Sequence, residues 1–528
     1  MDKKLQFIDL ARAICHAGHV FYEDFLFSSK WLEGAILTFL RRNGRVAPNK
    51  PRRKEKNDDG TDSEEQFAGA YVKQPIPGLY KWVYDLDLTS LYPSIIMSIN
   101  ISPETKVGMV TDYTSEAHMK SKMDSYVIVD DNGKSYPAMD KEKFEDFTKK
   151  LDLSIASNGV LYKQDKVGII PEILNVWFDK RVEYKDQIML NSLYGVLGLP
   201  SFRFYDVDNA EAVTLTGQTV IKTTEMIANQ YYSKNIGETK DYNIYVDTDS
   251  IFLSAVDFVK ARNPNIDENS DEQMIPAILE VAQEVEAHIN KVYDTMSLKL
   301  FNIHKHRFDI KQETIAKSGF WVSKKRYAQW IINDNTVNCD KLDVKGLDVK
   351  RSSFPTYFKE VMSTVLMDIL KDEDKNLIDE YILTKRTEME TTDFIDIAKN
   401  SAVKGMSKYT FKNQAIGEFM KGTPAHVKAA LTYNQLLKYY NCAYKYEPMK
   451  DGDKIKYVYL KNNPLGLDSV GLTGYNDPKQ VLDLVEQYID YEKIWERELE
   501  NKLDDFYLAM KWAKPSPNLK TASKFFQF

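Results

Sequence analysis

Apolar residues change their spacing several times along the chain, and each change marks an element. From Leu5 to Leu40 they recur at helical intervals. Residues 49 to 66, NKPRRKEKNDDGTDSEEQ, hold almost none and divide into a basic and an acidic half, the pattern of a surface linker. Alternation follows. In KWVYDLDL a strand would place Trp82, Tyr84, Leu86 and Leu88 on one face and Asp85 and Asp87 on the other. Residues 172 to 198 and 208 to 233 return to helical spacing, the first until Gly195 and Gly198 interrupt. YNIYVDTDSIFL, at 242 to 253, predicts a hairpin: two runs of β-branched and aromatic residues joined through Asp-Thr-Asp-Ser. Residues 270 to 297 are helical and acidic, and FDIKQETIAKSGFWVSKKRYAQWII predicts strands around a turn. Helices dominate from about Ser352, and Pro515 and Pro517 loosen the tail. Acid-bearing strands in the middle and helices at the end give an α+β class, without internal repeats.

Composition narrows this only a little. A chain of 528 residues, 43% hydrophobic, has enough apolar material for two to four structural units. Seven Trp, 25 Phe and 32 Tyr suit packed interiors and equally suit base and sugar contacts. No apolar run is long enough to span a bilayer, and MDKKLQFIDLARAICHAGHV lacks a signal-peptide cleavage pattern, so an intracellular location is expected. Cys15, Cys339 and Cys442 are too scattered for a disulfide framework or a thiolate site. CHAGH offers Cys15, His16 and His19 on an apolar helical stretch, without the second half of a zinc site, and reads as packing. The net charge of −7 argues mildly against a nonspecific nucleic-acid coat, but a sum leaves local basic surfaces open.

The chemistry lies in the acidic strands. Alone, Asp247 and Asp249 make an acidic turn of the ordinary solvated kind. Asp87 belongs to a separate strand, and if the two strands were neighbours in one sheet the three carboxylates would converge. Clustered carboxylates repel unless cations hold them, and Mg²⁺ takes oxygen ligands while keeping positions for phosphate oxygens. Two such ions can activate an attacking oxygen and stabilise a leaving one in phosphoryl transfer, the chemistry of polymerases and nucleases.

Three ordered stretches then resemble motifs A, B and C of family B DNA polymerases: DLTSLYPSII at 87 to 96, NSLYG at 191 to 195 and YVDTDS at 245 to 250. The resemblance continues through FAGAYVK (67–73), KQETIA (311–316), SKKRYA (323–328), KGLDVKRSS (345–353) and PAHVKAALTYN (424–434), covering nearly the whole chain. NISPET at 100 to 105 and the tail are most similar to the replicative polymerases of T-even-like bacteriophages. The resemblance implies that Asp87, Asp247 and Asp249 are catalytic. Asp87 and Asp249, with Leu88 and the accessory Glu313, would hold two Mg²⁺ ions. Ser90, Leu91, Tyr92, Arg181, Lys185 and Asn191 would bind the deoxynucleoside triphosphate, with Tyr92 as a steric gate against ribonucleotides. Gly69, Lys324, Lys325, Arg326, Tyr327, Lys408 and Tyr409 would contact primer-template DNA, although a cationic run of this kind is usually a solvated face. Phe525, Phe526 and Phe528 at the end of TASKFFQF would dock on a sliding clamp, with Lys524 where leucine is common; the alternative is a tail packed on its own domain.

The implied fold is a right hand: an N-terminal arm and linker (1–66), an antiparallel-sheet palm in two parts (67–171 and 196–351), truncated helical fingers (172–195) and a helical thumb with the clamp-binding tail (352–528). Three departures from the family pattern stand out. The exonuclease part is not evident, which implies a separate nuclease chain or a truncated enzyme. Almost nothing separates Arg181 and Lys185 from Asn191, so on one unbroken helix all three could not face one nucleotide, and Gln187 replaces a usual lysine. Val246 stands where glycine usually precedes the DTD, a change a strand tolerates. The expected activity is primer extension in the cytoplasm of an infected bacterial host. A catalytically weak, polymerase-shaped DNA- and clamp-binding scaffold is the alternative, and a metal-dependent nuclease leaves Tyr92 and NSLYG without a role.

Overall fold

A computed structural model describes residues 7–50, 67–180, 184–410 and 414–514, without the side chains of 184–187. The chain forms two compact units, Met1–Gln74 with Tyr84–Ile315, and Pro75–Val83 with Ala316–Phe528.

The first unit begins with helices α1 (Phe7–Gly18) and α2 (Ser28–Arg42), so the helical periodicity from Leu5 to Leu40 is divided by a short turn around Tyr22–Asp24. Strand β1 (Gly78–Leu88) enters this unit at Tyr84. From there the expected alternation holds: Tyr84, Leu86 and Leu88 are buried, and Asp85 and Asp87 are half-buried. Upstream it breaks, because Trp82 has a left-handed backbone (φ +50°) and Trp82, Val83 and Tyr84 are buried in succession. Helix α3 (Leu91–Ile99) follows at once and is closed at Asn100, also left-handed. Next comes a four-stranded antiparallel sheet in the order β3-β2-β5-β4, from β2 (Lys106–Val110), β3 (Ile128–Asp130), β4 (Leu153–Ile155) and β5 (Val160–Lys163). With helix α4 (Lys141–Lys150) it encloses its own core, where the rings of Tyr126 and Phe144 stack at 4.4 Å.

The apolar spacing of residues 172 to 198 resolves into two helices, α5 (Ile169–Asp179) and α6 (Tyr184–Leu197), which pack on each other. The one helical stretch read from sequence is therefore corrected to two helices: α5 ends at Asp179 with Lys180 as its cap, and Gly195 sits inside α6 without interrupting it. Helix α7 (Val207–Ile236) is stopped at both ends by its own sequence. The Asp206 side chain accepts the Asn209 N–H, and Gly237 closes the C-terminus at φ +82° with its N–H on the Ser233 carbonyl. Strands β6 (Asn243–Asp247) and β7 (Ser250–Ser254) form the expected hairpin, with Asp247 opposite Ser250 and a two-residue turn, Thr248 and Asp249. Helix α8 (Asp271–Phe301) leads to β8 (Ile310–Ser323), and within this unit the strand order is β8-β1-β7-β6.

In the second unit β8 continues to Ser323 and turns into β9 (Arg326–Asp334), which pairs with β10 (Val337–Lys345), the order being β10-β9-β8-β1. Helices α9 (Thr356–Leu370), α10 (Lys375–Glu388), α11 (Ala425–Tyr439), α12 (Lys479–Tyr488) and α13 (Asn501–Ala509) dominate from Ser352 as expected. The same unit holds a feature the periodicity did not reveal, an antiparallel sheet of β11 (Lys399–Ala402), β12 (Lys454–Tyr459) and β13 (Ser469–Leu472), with α11 packed on β13. Among the described residues no helix is long and apolar enough to cross a membrane.

Candidate active site

Asp87 lies one residue before the end of β1, and Asp249 lies in the turn between β6 and β7. Two bonds bring them together. The Leu88 N–H donates to the Asp249 carbonyl at 2.9 Å, and the Ser250 hydroxyl donates to Asp87 Oδ2 at 2.6 Å. The turn is strained where it presents Asp249: Thr248, a β-branched residue, holds φ +61°, and the Asp249 N–H folds back onto the Asp247 carbonyl at 2.6 Å. Asp247 sits beside the pair, its carboxylate receiving the Tyr245 hydroxyl at 3.1 Å and the Thr248 hydroxyl at 3.0 Å.

Burial, and next the charge of Asp249, push the Asp87 carboxyl up to about 6, against the Ser250 bond that lowers it. Asp85, on the same face of β1, rises to about 7. Burial is the main cause there; the charges of Glu313 and Asp87 add to it, while bonds from Thr314, including its N–H at 2.6 Å, oppose it. That backbone bond also fixes β8 beside β1 at the residue following Glu313. Among the described residues no three acidic, histidine or cysteine side chains are close enough to share one metal ion. The central donor set is therefore two carboxylates in electrostatic conflict and nearby backbone carbonyls, all oxygen. It fits a hard divalent cation that completes its shell with water or phosphate oxygens.

Ser90 is left-handed (φ +49°) and starts α3, its carbonyl receiving the Ser94 N–H, while Leu91 is buried. Tyr92 packs on Tyr194 of α6, ring centroids 4.4 Å apart, and lies against Gly217 of α7, where a Cβ would come within 3.0 Å of Tyr92 Cε1. Burial, then the neighbouring Tyr194, Asp249 and Asp247, raise the Tyr92 phenol above its ordinary value, so its ring stands in the field of the aspartates. Asn191 is exposed on α6. Arg181 and the Lys185 side chain fall outside the described residues, as do Phe525, Phe526 and Phe528. Sequence reasoning missed Tyr194, Gly217, Ser250 and Asp85 as members of this cluster. The first and third lie inside quoted motifs, whereas Gly217 carried no local signal.

The expected DNA contacts differ in character. Gly69 offers its carbonyl to Gln218 of α7 at 2.6 Å. In the second unit Lys324 and Lys325 are exposed at the β8–β9 turn, Arg326 pairs with Asp505 at 2.7 Å, and Tyr327 is buried with its ring stacked on Trp321. Lys408 is exposed and Tyr409 half-buried, in a single turn of 3₁₀ helix.

Residues 27–190 and 186–505 match DNA polymerase family B. The chain belongs to this family. Among curated relatives of the family, the DNA-directed DNA polymerase of Escherichia phage RB69 is 27% identical over 97% of the chain and 62% of its own length. The enzyme of Enterobacteria phage T4 is 23% identical over 94% of the chain and 60% of its own length. A DNA polymerase of Thermococcus gorgonarius is 27% identical over 65% of the chain. The expected kinship with T-even-like phage polymerases is thus borne out. The chain spans about three fifths of the length of the phage relatives. The alignment with the RB69 enzyme runs over 586 residues, more than the 528 of the chain, so that relative carries internal segments this family member lacks. The two stretches matching the family meet at residues 186–190, in the first turns of α6.

Proposed function

We propose that the chain is the polymerase part of a phage replicative DNA polymerase, extending a primer 3′ end with deoxynucleoside triphosphates. The observation that carries this is the pairing of Asp87 with Asp249 through Leu88 and Ser250, beside Tyr92. Asp87, Asp249 and the Leu88 carbonyl, with Glu313 as an accessory acid, would hold two Mg²⁺ ions. When bound, these would supply positive charge to the attacking 3′-oxygen, the α-phosphate and the departing pyrophosphate.

The chain's own groups prepare that step. Ser250 holds the Asp87 carboxylate by its hydroxyl, and the Leu88 N–H holds the Asp249 backbone, which keeps the two acids neighbours. Backbone N–H groups at Ser90 and Leu91, at the start of α3, favour phosphate oxygens by the ordinary physics of a helix N-terminus. Arg181, Lys185 and Asn191 would complete the triphosphate contacts. The Tyr92 ring, wedged between Tyr194 and Gly217, would leave no room for a 2′-hydroxyl. Gly69, Lys324, Lys325, Arg326, Tyr327, Lys408 and Tyr409 would bind primer-template.

On this reading residues 67–171 and 196–351 are the palm, 172–195 shortened fingers and 352–528 the thumb. Phe525, Phe526 and Phe528 would engage a sliding clamp. The work would be done in the cytoplasm of the infected host. Primer extension by the purified chain with Mg²⁺ tests the reading. Incorporation is expected, and Asp249→Ala should lower it by about a thousandfold or more, since several kcal/mol of charge stabilisation are lost. Duplex binding without incorporation by the unaltered chain would refute it.

A further inference from the structure

Strand β6 ends the first unit's sheet, yet its outer edge is not bare. Residues 71–73 run along it as a strap. Val72 bridges to Asp247, the Lys73 N–H donates to the Val246 carbonyl at 2.9 Å, and the Thr248 N–H donates to the Tyr71 carbonyl at 3.0 Å. This last bond is made by the residue that holds the strained left-handed conformation presenting Asp249. Anything that holds the strap therefore holds the turn.

What holds it is one polar face of α7. Gln218, Lys222, Glu225 and Asn229 recur at four-, three- and four-residue steps, a stripe along one side of the helix. Gln218 donates to the Gly69 carbonyl, and the Lys222 ammonium sits 4.8 Å from the centre of the Tyr71 ring. The Lys73 ammonium is the centre of the arrangement, on Glu225 at 2.7 Å, on Asp241 at 2.5 Å and on the Asn243 carbonyl at 2.8 Å. Asn229 binds Asp241 at 3.0 Å and receives the Tyr242 N–H at 2.8 Å. Lys73 is largely buried, and its three acceptors come from α7, from the loop before β6 and from β6 itself.

We propose that Lys73 is a positioning residue for the catalytic turn: it locks the 69–73 strap between α7 and the edge of β6, and so keeps Thr248 and Asp249 in the conformation that sets Asp249 beside Asp87. The inference rests on the polymerase reading for its kinetic consequence, but the lock itself is testable without activity. Helix α7 would then fix both halves of the site, Tyr92 through Gly217 and the aspartate turn through Lys73.

Single-nucleotide incorporation and hydrogen–deuterium exchange over residues 245–253 are measured for the full chain, Lys73→Met and Lys73→Arg, the exchange without nucleotide or added metal. Lys73→Met is expected to lower kcat by about tenfold or more while the nucleotide KM and the primer-template Kd stay within about threefold, and Lys73→Arg to recover most of the loss. Exchange at the Thr248 amide should quicken by about tenfold in Lys73→Met and stay near the unaltered rate in Lys73→Arg. Glu225→Gln, which keeps an acceptor for Lys73, serves if Lys73→Met does not fold and should shift both readouts the same way by less. Unchanged exchange overturns the lock. Quickened exchange with the loss confined to KM or Kd overturns the positioning role and makes the strap part of substrate binding. If the unaltered chain incorporates nothing, the polymerase reading fails on its own and the exchange result alone decides the lock.

Discussion

A methyl group at position 217 would stand 3.0 Å from Tyr92 Cε1 and 3.5 Å from Ile95 Cδ1, closer to the ring than side chains ordinarily pack, so something has to yield. Ile95 is fully buried, whereas Tyr92 retains some exposure, and the ring is the part free to give. On the proposed gating role, Gly217→Ala is therefore expected to tilt Tyr92 away from α7 and weaken the rejection of ribonucleotides. The preference for deoxy- over ribonucleotides, measured as a ratio of kcat/KM values, should fall by roughly tenfold, with a stability loss of about 1–3 kcal/mol from overpacking. Tyr92→Ala removes the ring and should reduce the ratio further, by roughly 10- to 200-fold in all, the range steric discrimination supplies. Equal ratios in all three proteins would remove Tyr92 from any gating role. Tyr92 was legible in the sequence because SLYPSII carries it in a recognisable order. Gly217 was not, because a glycine inside a helix announces nothing until the neighbour that needs the space is known.

At the scale of elements, the sheet of β2, β3, β4 and β5 has a core of its own, and His118 is built into it. Its ring is buried, with Nδ1 at 2.8 Å from the Tyr126 hydroxyl and the rings of Tyr113, Tyr126 and Phe144 around it. Burial, and then Lys141, hold His118 below its ordinary value, outweighing the opposing pull of Glu145. With the folded value depressed, the unfolded segment binds the proton first. The contribution to stability is full above about pH 6.5 and is lost as pH falls from there through the folded value, with a slope of at most about 1.4 kcal/mol per pH unit for this one group. His288 and His426 are depressed by burial as well and act with the same sign elsewhere. Hydrogen exchange of the β2 and β5 amides isolates the local effect, since a chain of two units need not unfold in one step. Protection should weaken between pH 7.5 and 5.5 in the unaltered chain, and weaken less in His118→Gln; identical profiles would show that His118 carries no pH-dependent load. This sheet escaped the sequence reading for a physical reason. Its strands are three to five residues long and scattered among turns, too short for a period of two to stand out, whereas β1 runs for 11 residues and the five-residue β6 and β7 declare themselves by β-branched and aromatic composition on both sides of one acidic turn. In the β11–β12–β13 sheet two strands have four residues each, and the six-residue β12 stands far from β11 in sequence.

For the molecule as a whole, the question is how a chain of net charge −7 would hold a polyanion. Its 71 basic and 78 acidic side chains are nearly balanced, so affinity for nucleic acid depends on where exposed cations cluster on the surface. The β8–β9 turn carries three cations. Lys324 and Lys325 are exposed at its tip, while the Arg326 guanidinium is bound to Asp505, with Gly346 closed against the Lys325 carbonyl beneath. Counterion release makes the logarithm of the binding constant fall linearly with the logarithm of salt, at about 0.9 per duplex phosphate neutralised. If both lysines meet phosphates, the double change Lys324→Ala with Lys325→Ala should make that slope shallower by roughly 1.8 and weaken binding most at low salt. Arg326→Ala should move the slope less, because Asp505 already neutralises much of its charge and would be left behind as an anion. Fluorescence anisotropy with a labelled primer-template between about 50 and 300 mM salt distinguishes these outcomes. An unchanged slope in the double variant would mean that these lysines form a solvated face, and that the cations gripping DNA lie elsewhere on the chain.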